Sequence, residues 1–96
     1  MISVHNIFVC KPGNASKLAK LMNEMPKTDK GPFIMTDVTG QFHRVVMVQN
    51  FENLSAYEAE TAKMMTDSPE QKAMQEKFKD MNDMYTSGSR EIYKIW

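Results

Sequence analysis

Phe42-His43-Arg44-Val45-Val46-Met47-Val48-Gln49-Asn50-Phe51 is the stretch on which the fold turns. Side chains alternate between the two faces of an extended chain, yet Val45-Val46-Met47-Val48 is apolar toward both. A strand wetted on one side would alternate apolar and polar residues, so this one is expected at the centre of a sheet. Immediately before it, Gly40-Gln41 is short enough to close a hairpin with residues 33–39, which alternate weakly and read as another strand. Farther upstream, residues 2–10 (Ile-Ser-Val-His-Asn-Ile-Phe-Val-Cys) are rich in β-branched and aromatic types and read as the first strand. Lys11-Pro12-Gly13 stops it, because proline donates no ladder hydrogen bond and glycine permits a positive φ. Asn14 is placed to cap a helix, and Leu18, Leu21, Met22 and Met25 follow at the spacing of one apolar stripe before Pro26 ends it.

Downstream of Phe51 two helices are expected. Ser55-Ala-Tyr-Glu58 fits a capping box and Asn53 is an equally good cap. Ser68-Pro69-Glu70-Gln71 is the stronger start: a cap serine, a proline at the first helical position and a glutamine able to reach back. Met74, Phe78, Met81 and Tyr85 then mark a stripe, Gly88 is read as the helix stop, and residues 90–96 as a fourth strand. The order β-α-β-β-α-α-β, with a central hairpin and two helical crossovers, predicts an α+β, ferredoxin-like single domain over residues 1–96: a four-stranded antiparallel sheet with every helix on one face.

Composition narrows the functional classes. The chain has 96 residues, 12 Lys plus Arg against 12 Asp plus Glu, and no net charge. Nucleic-acid binding rests on clustered cations that neutralise phosphates, and a polybasic membrane patch needs the same excess; neither is expected. One cysteine makes no internal disulfide, no apolar run approaches a membrane span, and residues 1–10 lack a signal-peptide pattern, so a cytoplasmic protein is expected.

The strand faces carry more information. With the helices on one face, the other should read polar if it meets water, but neither face of the first strand does: Ile2, Val4, Asn6, Phe8 and Cys10 alternate with His5, Ile7 and Val9. An exposed apolar sheet face marks an interface. A homodimer is therefore expected, its two sheets packed face to face around a cavity that the scattered strand polar residues would line.

The strand leading into Lys-Pro-Gly at 11–13 and an amphipathic helix, the run Gly40-Gln-Phe-His-Arg-Val-Val46 passing through Phe51-Glu-Asn-Leu54 into a helix, and Asp67-Ser-Pro-Glu70 together carry a resemblance. In element order the whole chain resembles the dimeric α/β-barrel superfamily, which includes antibiotic-biosynthesis-monooxygenase-like, haem-degrading monooxygenase and NIPSNAP-like families. Asn6 matches the pocket asparagine of the haem-degrading members. Those enzymes also use a helix histidine and a nearby tryptophan, whereas this chain has Lys72-Ala73-Met74-Gln75 and no second-helix tryptophan. Haem degradation by that mechanism is therefore not expected, and no cofactor is. What the resemblance implies is either a cofactor-independent monooxygenase-like enzyme acting on an aromatic or polyketide-like compound, or a non-catalytic NIPSNAP-like ligand-binding or interaction protein. Fold alone does not choose between them.

Asn6 and His43 are the candidate catalytic residues. Asn6 would hydrogen-bond a ligand carbonyl or a developing enolate oxygen, and His43 is poised for proton transfer near neutral pH. The plainer reading of Asn6 is a strand asparagine satisfied by water or the partner chain, and of His43 a rim or interface histidine. Arg44 is a candidate for orienting an anionic group, and Tyr57 and Trp96 for supplying aromatic walls of a substrate site. The only histidines, His5 and His43, have no third ligand at metal spacing, so no metal site is read. Cys10 is expected to pack as a small residue. Most of the ten methionines read as core, and the neighbours Met64 and Met65 cannot share one orientation.

Overall fold

The apolar run on which the fold turns lies in the middle of the sheet. In the computed structural model, which describes residues 1–40, 42–64 and 68–96, the elements run β1 (Ile2–Cys10), α1 (Ala15–Met22), β2 (Phe33–Thr36), β3 (Arg44–Phe51), α2 (Leu54–Met64), α3 (Pro69–Lys77), a short 3-10 turn (Met81–Asp83) and β4 (Tyr85–Lys94). The sheet order is β2-β3-β1-β4, antiparallel throughout, which is the ferredoxin-like α+β arrangement expected of the sequence.

Cross-strand register fixes the faces, because residues paired across an antiparallel ladder point the same way. Phe8 pairs with Val45, Asn6 with Met47 and Arg90, and Ile34 with Met47. Phe8, Val45, Met47 and Ile34 pack with α1, so this face carries the helices. Residues one step along each strand, among them His5, Ile7, Val9, Val46, Val48, Phe33 and Met35, form the opposite face.

The core sits under α1. Leu18 and Met22, four residues apart on one helix face, are buried to 0% and 2% exposure against Cys10 and Val45. Full burial of side chains of this size stabilises the fold by roughly 1.5–3 kcal/mol each. The caps follow two different routes. Ser68 Oγ accepts from Gln71 N at 3.2 Å with Pro69 opening α3, and Asn53 Oδ1 accepts from Ala56 N at 2.9 Å, so Asn53 and not Ser55 caps α2. Asn14 gives no side-chain cap: its own backbone is helical (φ −100°, ψ −12°), and its amide donates to Lys11 O to close a turn that leads directly into α1.

Two expectations are corrected. The β2–β3 connection is longer than a two-residue hairpin. β2 ends at Thr36 and β3 begins at Arg44, because Gly40 (φ 102°) and His43 (φ 63°) are left-handed and cannot continue a ladder. Asp37 braces this connection by accepting from Arg44 N at 2.9 Å. Gln41 of the expected hairpin, and Met65 and Asp67 of the expected helices, lie outside the described residues. The last correction concerns Gly88, which is no helix stop. α3 ends at Lys77, and Gly88 lies within β4 opposite Phe8, whose ring lies 5.0 Å from that of Tyr85 at a tilt of 57°. Gly31 is needed for a different reason: at φ 110°, a Cβ there would lie 2.6 Å from the Val48 carbonyl oxygen.

Candidate functional site

α1 covers only part of its face of the sheet. α2 and α3 bury none of their described side chains, so they stand over β1, β3 and β4 without sealing them. The space beneath them is a groove of adjoining recesses that share Met47. Toward α1 and α3 it holds about 250 Å³ lined by Phe8, Met22, Met25, Met47, Met74 and Phe78, with Gln71 and Gln75 beside them. Toward α2 it continues over about 310 Å³ past Asn6, Gln49, Phe51, Tyr57, Glu60 and Arg90. A third lobe runs along β4 past Gly88 and Ser89. Met47, at the centre of β3, lines all three. An apolar concavity with a few convergent polar groups, of a few hundred Å³, is the usual form of a small-molecule site.

The polar end is built by register. Asn6 on β1 lies directly across from Arg90 on β4, and Arg90 Nε donates to Asn6 Oδ1 at 2.6 Å. Arginine has no acceptor, so the bond settles which end of the Asn6 amide is oxygen and leaves the NH₂ donors on its other side. Tyr57 closes this end from α2: its ring packs edge-on against Phe51 at 5.3 Å, and the Arg90 guanidinium carbon lies 5.8 Å from its centroid. Gly88, with no side chain, keeps the β4 lobe open.

The structure thus brings together Asn6 and Tyr57 of the five residues singled out in the sequence. His43 occupies the exposed β2–β3 connection rather than a strand. Arg44 lies on the face away from the helices, in a separate recess of about 380 Å³ with Met35, Thr36, Asp37 and Val46, and its Nε is buried without a partner among the described residues. Trp96 is 100% exposed past the end of β4, with Lys94 Nζ 4.4 Å above its ring. Asn6 faces the helices, because even-numbered β1 residues share a face with Phe8 and Cys10.

Arg90, Met47 and Gly88 were not legible as site residues. Each needs the register of β4 or β3 against β1, and ending the last helix at Gly88 leaves the fourth strand too short to set that register. None of the groove-lining residues is a histidine, and no cluster of three or more His, Cys, Asp or Glu suited to a metal occurs among the described residues. His5 is on the opposite face, its Nε2 3.0 Å from Ser3 Oγ. Cys10 is buried in the core, and loss of water around it pushes its thiol pKa up, which leaves it protonated and unreactive near neutral pH.

The same architecture recurs in solved structures. A NIPSNAP family protein of Agrobacterium tumefaciens superimposes with a TM-score of 0.80 at 15% identity, over 99% of this chain and 85% of that one. The fold is that of the NIPSNAP proteins. A NIPSNAP domain protein of Burkholderia xenovorans agrees over 100% of this chain and 95% of its own, with a TM-score of 0.75 at 12% identity. A Deinococcus radiodurans protein named for antibiotic biosynthesis monooxygenase activity gives 0.62 at 15% identity over 100% and 93%. No family model matches the sequence, and no curated protein matches it significantly. At these identities the shared property is the NIPSNAP-type fold itself. No described helix is long and apolar enough to cross a membrane.

Proposed function

We propose that the protein binds a small, largely apolar aromatic or polyketide-like molecule in the groove between helices and sheet, with Asn6 contacting one of its oxygens. The observation that carries this reading is the Asn6 amide, fixed by Arg90 at the end of a methionine- and phenylalanine-lined groove with its NH₂ donors unpartnered among the described residues. Asn6 is half-buried, and an amide donor there without a protein partner is met by water that a ligand oxygen can replace. Methionine suits such a wall because its unbranched side chain adapts to ligands of different outline.

Likeness to the antibiotic biosynthesis monooxygenases supports a catalytic form of this reading. An electron-rich phenolic ligand would react with oxygen without a cofactor while the Asn6 N–H groups stabilise charge on its enolate-like oxygen. The non-catalytic alternative is a NIPSNAP-like carrier or sensor using the same groove. His43, Arg44 and Trp96 have no part in either reading. Native mass spectrometry of protein purified from cells tests the binding reading. A retained small molecule that Asn6→Ala loses while remaining folded supports it, and turnover of phenolic compounds by wild type but not by Asn6→Ala supports the catalytic form.

The second element of the proposal is a homodimer through the face without helices. Ile7, Val9, Val46 and Val48 form its apolar centre, and Phe33 and Met35 on β2 are each nearly half exposed beside them. Light scattering that returns the mass of a single chain at micromolar concentration would remove this element without touching the groove.

A further inference from the structure

We propose that the groove selects a monoanion: its ligand is an apolar molecule bearing one carboxylate, whose oxygens sit on Arg90 while its body lies along the methionines. This rests on the reading of the groove as a binding site. Arg90 carries the argument. Its Nε is occupied by Asn6 Oδ1, which leaves the four N–H donors of the two Nη atoms as an end-on fork matched to a carboxylate. Among the described residues no acidic side chain forms an ion pair with Arg90. Glu60, which lines the same part of the groove, lies 3.9 Å from Lys63 Nζ on its own helix, so its charge is partly matched there.

The guanidinium is also held in place before any ligand arrives. Asn6 fixes it from β1 and the Tyr57 ring lies 5.8 Å from it on the α2 side. A fork whose orientation is already set loses less freedom on binding. The Asn6 NH₂ supplies a further donor beside it. Beyond these groups the groove is lined by Phe8, Met22, Met25, Met47, Met74 and Phe78. An anionic head therefore meets a fixed cation at one end, while an apolar tail meets a wall made mostly of methionine and phenylalanine at the other. A neutral head of the same shape leaves the Nη fork to water.

Decanoate and decanol, which share a tail and differ in charge, test this at neutral pH by calorimetry together with methyl NMR of protein labelled at methionine. Decanoate is expected to shift the Met25, Met47 and Met74 methyls and to bind about tenfold or more tighter than decanol, as a charged hydrogen-bonded pair implies. Arg90→Gln should bring the two affinities together, with decanoate losing far more than decanol. Arg90→Lys, which keeps the charge and loses the fork, should fall between, and it decides the matter if the glutamine variant does not fold. Equal affinities in the wild type, with the groove methyls shifted, overturn the monoanion and leave the groove reading intact. If neither compound shifts those methyls, or only Met1 and Met35 respond, both readings fall.

Discussion

The two ends of one sheet face behave as different materials. Under α1, Leu18, Met22, Cys10 and Val45 are packed shut, with exposures between 0% and 3%. A few residues away, under α2 and α3, the same strands present Asn6, Met47, Gly88 and Arg90 to an open groove, and neither helix buries a described residue. In a chain of this size the stability margin is thin. The closed end supplies it, and that frees the other end to leave apolar surface uncovered for something else to cover.

The sharpest way to break this comparison is to hollow both ends. Leu18→Ala should cost about 2–5 kcal/mol and shift the whole urea transition, because the cavity it leaves cannot collapse. Met74→Ala in the groove should cost less than about 1 kcal/mol, since its side chain is already incompletely packed. Equal costs would mean that the groove is ordinary core.

Ligand binding should divide the ends in the opposite sense. Asn6→Ala is expected to weaken retention of the groove ligand by about tenfold, the value of a hydrogen bond to an oxygen with developing charge, while the urea midpoint barely moves. Binding that survives intact would show that Asn6 serves only to hold Arg90.

Thiol labelling reads the difference directly. Cys10 should resist a disulfide reagent near neutral pH until the protein unfolds, since burial both shields it and raises its pKa. A cysteine placed in the groove by Gln49→Cys, in a Cys10→Ala background, should react in the native state. Comparable native rates at the two positions would put the closed end in doubt.

The smallest effect belongs to a rim that neither end depends on. Lys30 Nζ lies 2.8 Å from Glu52 Oε1, and hydrogen bonding to Lys30, followed by its charge, lowers the Glu52 pKa below the ordinary glutamate value. The folded form thus holds the carboxylate charged more readily than the unfolded chain. Its contribution is present above the ordinary glutamate pKa and is lost as pH falls through the folded value. Glu52→Gln should flatten only the acid side of the stability profile, slightly, in urea titrations at neutral and acidic pH. A fall in groove affinity with this variant would show that the rim and the site are coupled.

The sequence itself determined the sheet and its coverage. Period-two and period-3.6 apolar patterns are local, so Val45-Val46-Met47-Val48 announced a central strand, Leu18 and Met22 a packed helix, and Ser68-Pro69 a helix start. Asn6 and Tyr57 could be named because polar and aromatic residues stand out against such patterns. What tertiary structure alone decided is register. A one-residue slip exchanges the two faces of a strand, and nothing within β1 says whether Asn6 meets the helices or the open side. The pairing of Asn6 with Arg90, eighty-four positions apart in the chain, sets that choice. It joined Asn6, which the pattern marked, to Arg90, which it did not, and left His43, Arg44 and Trp96 outside the groove.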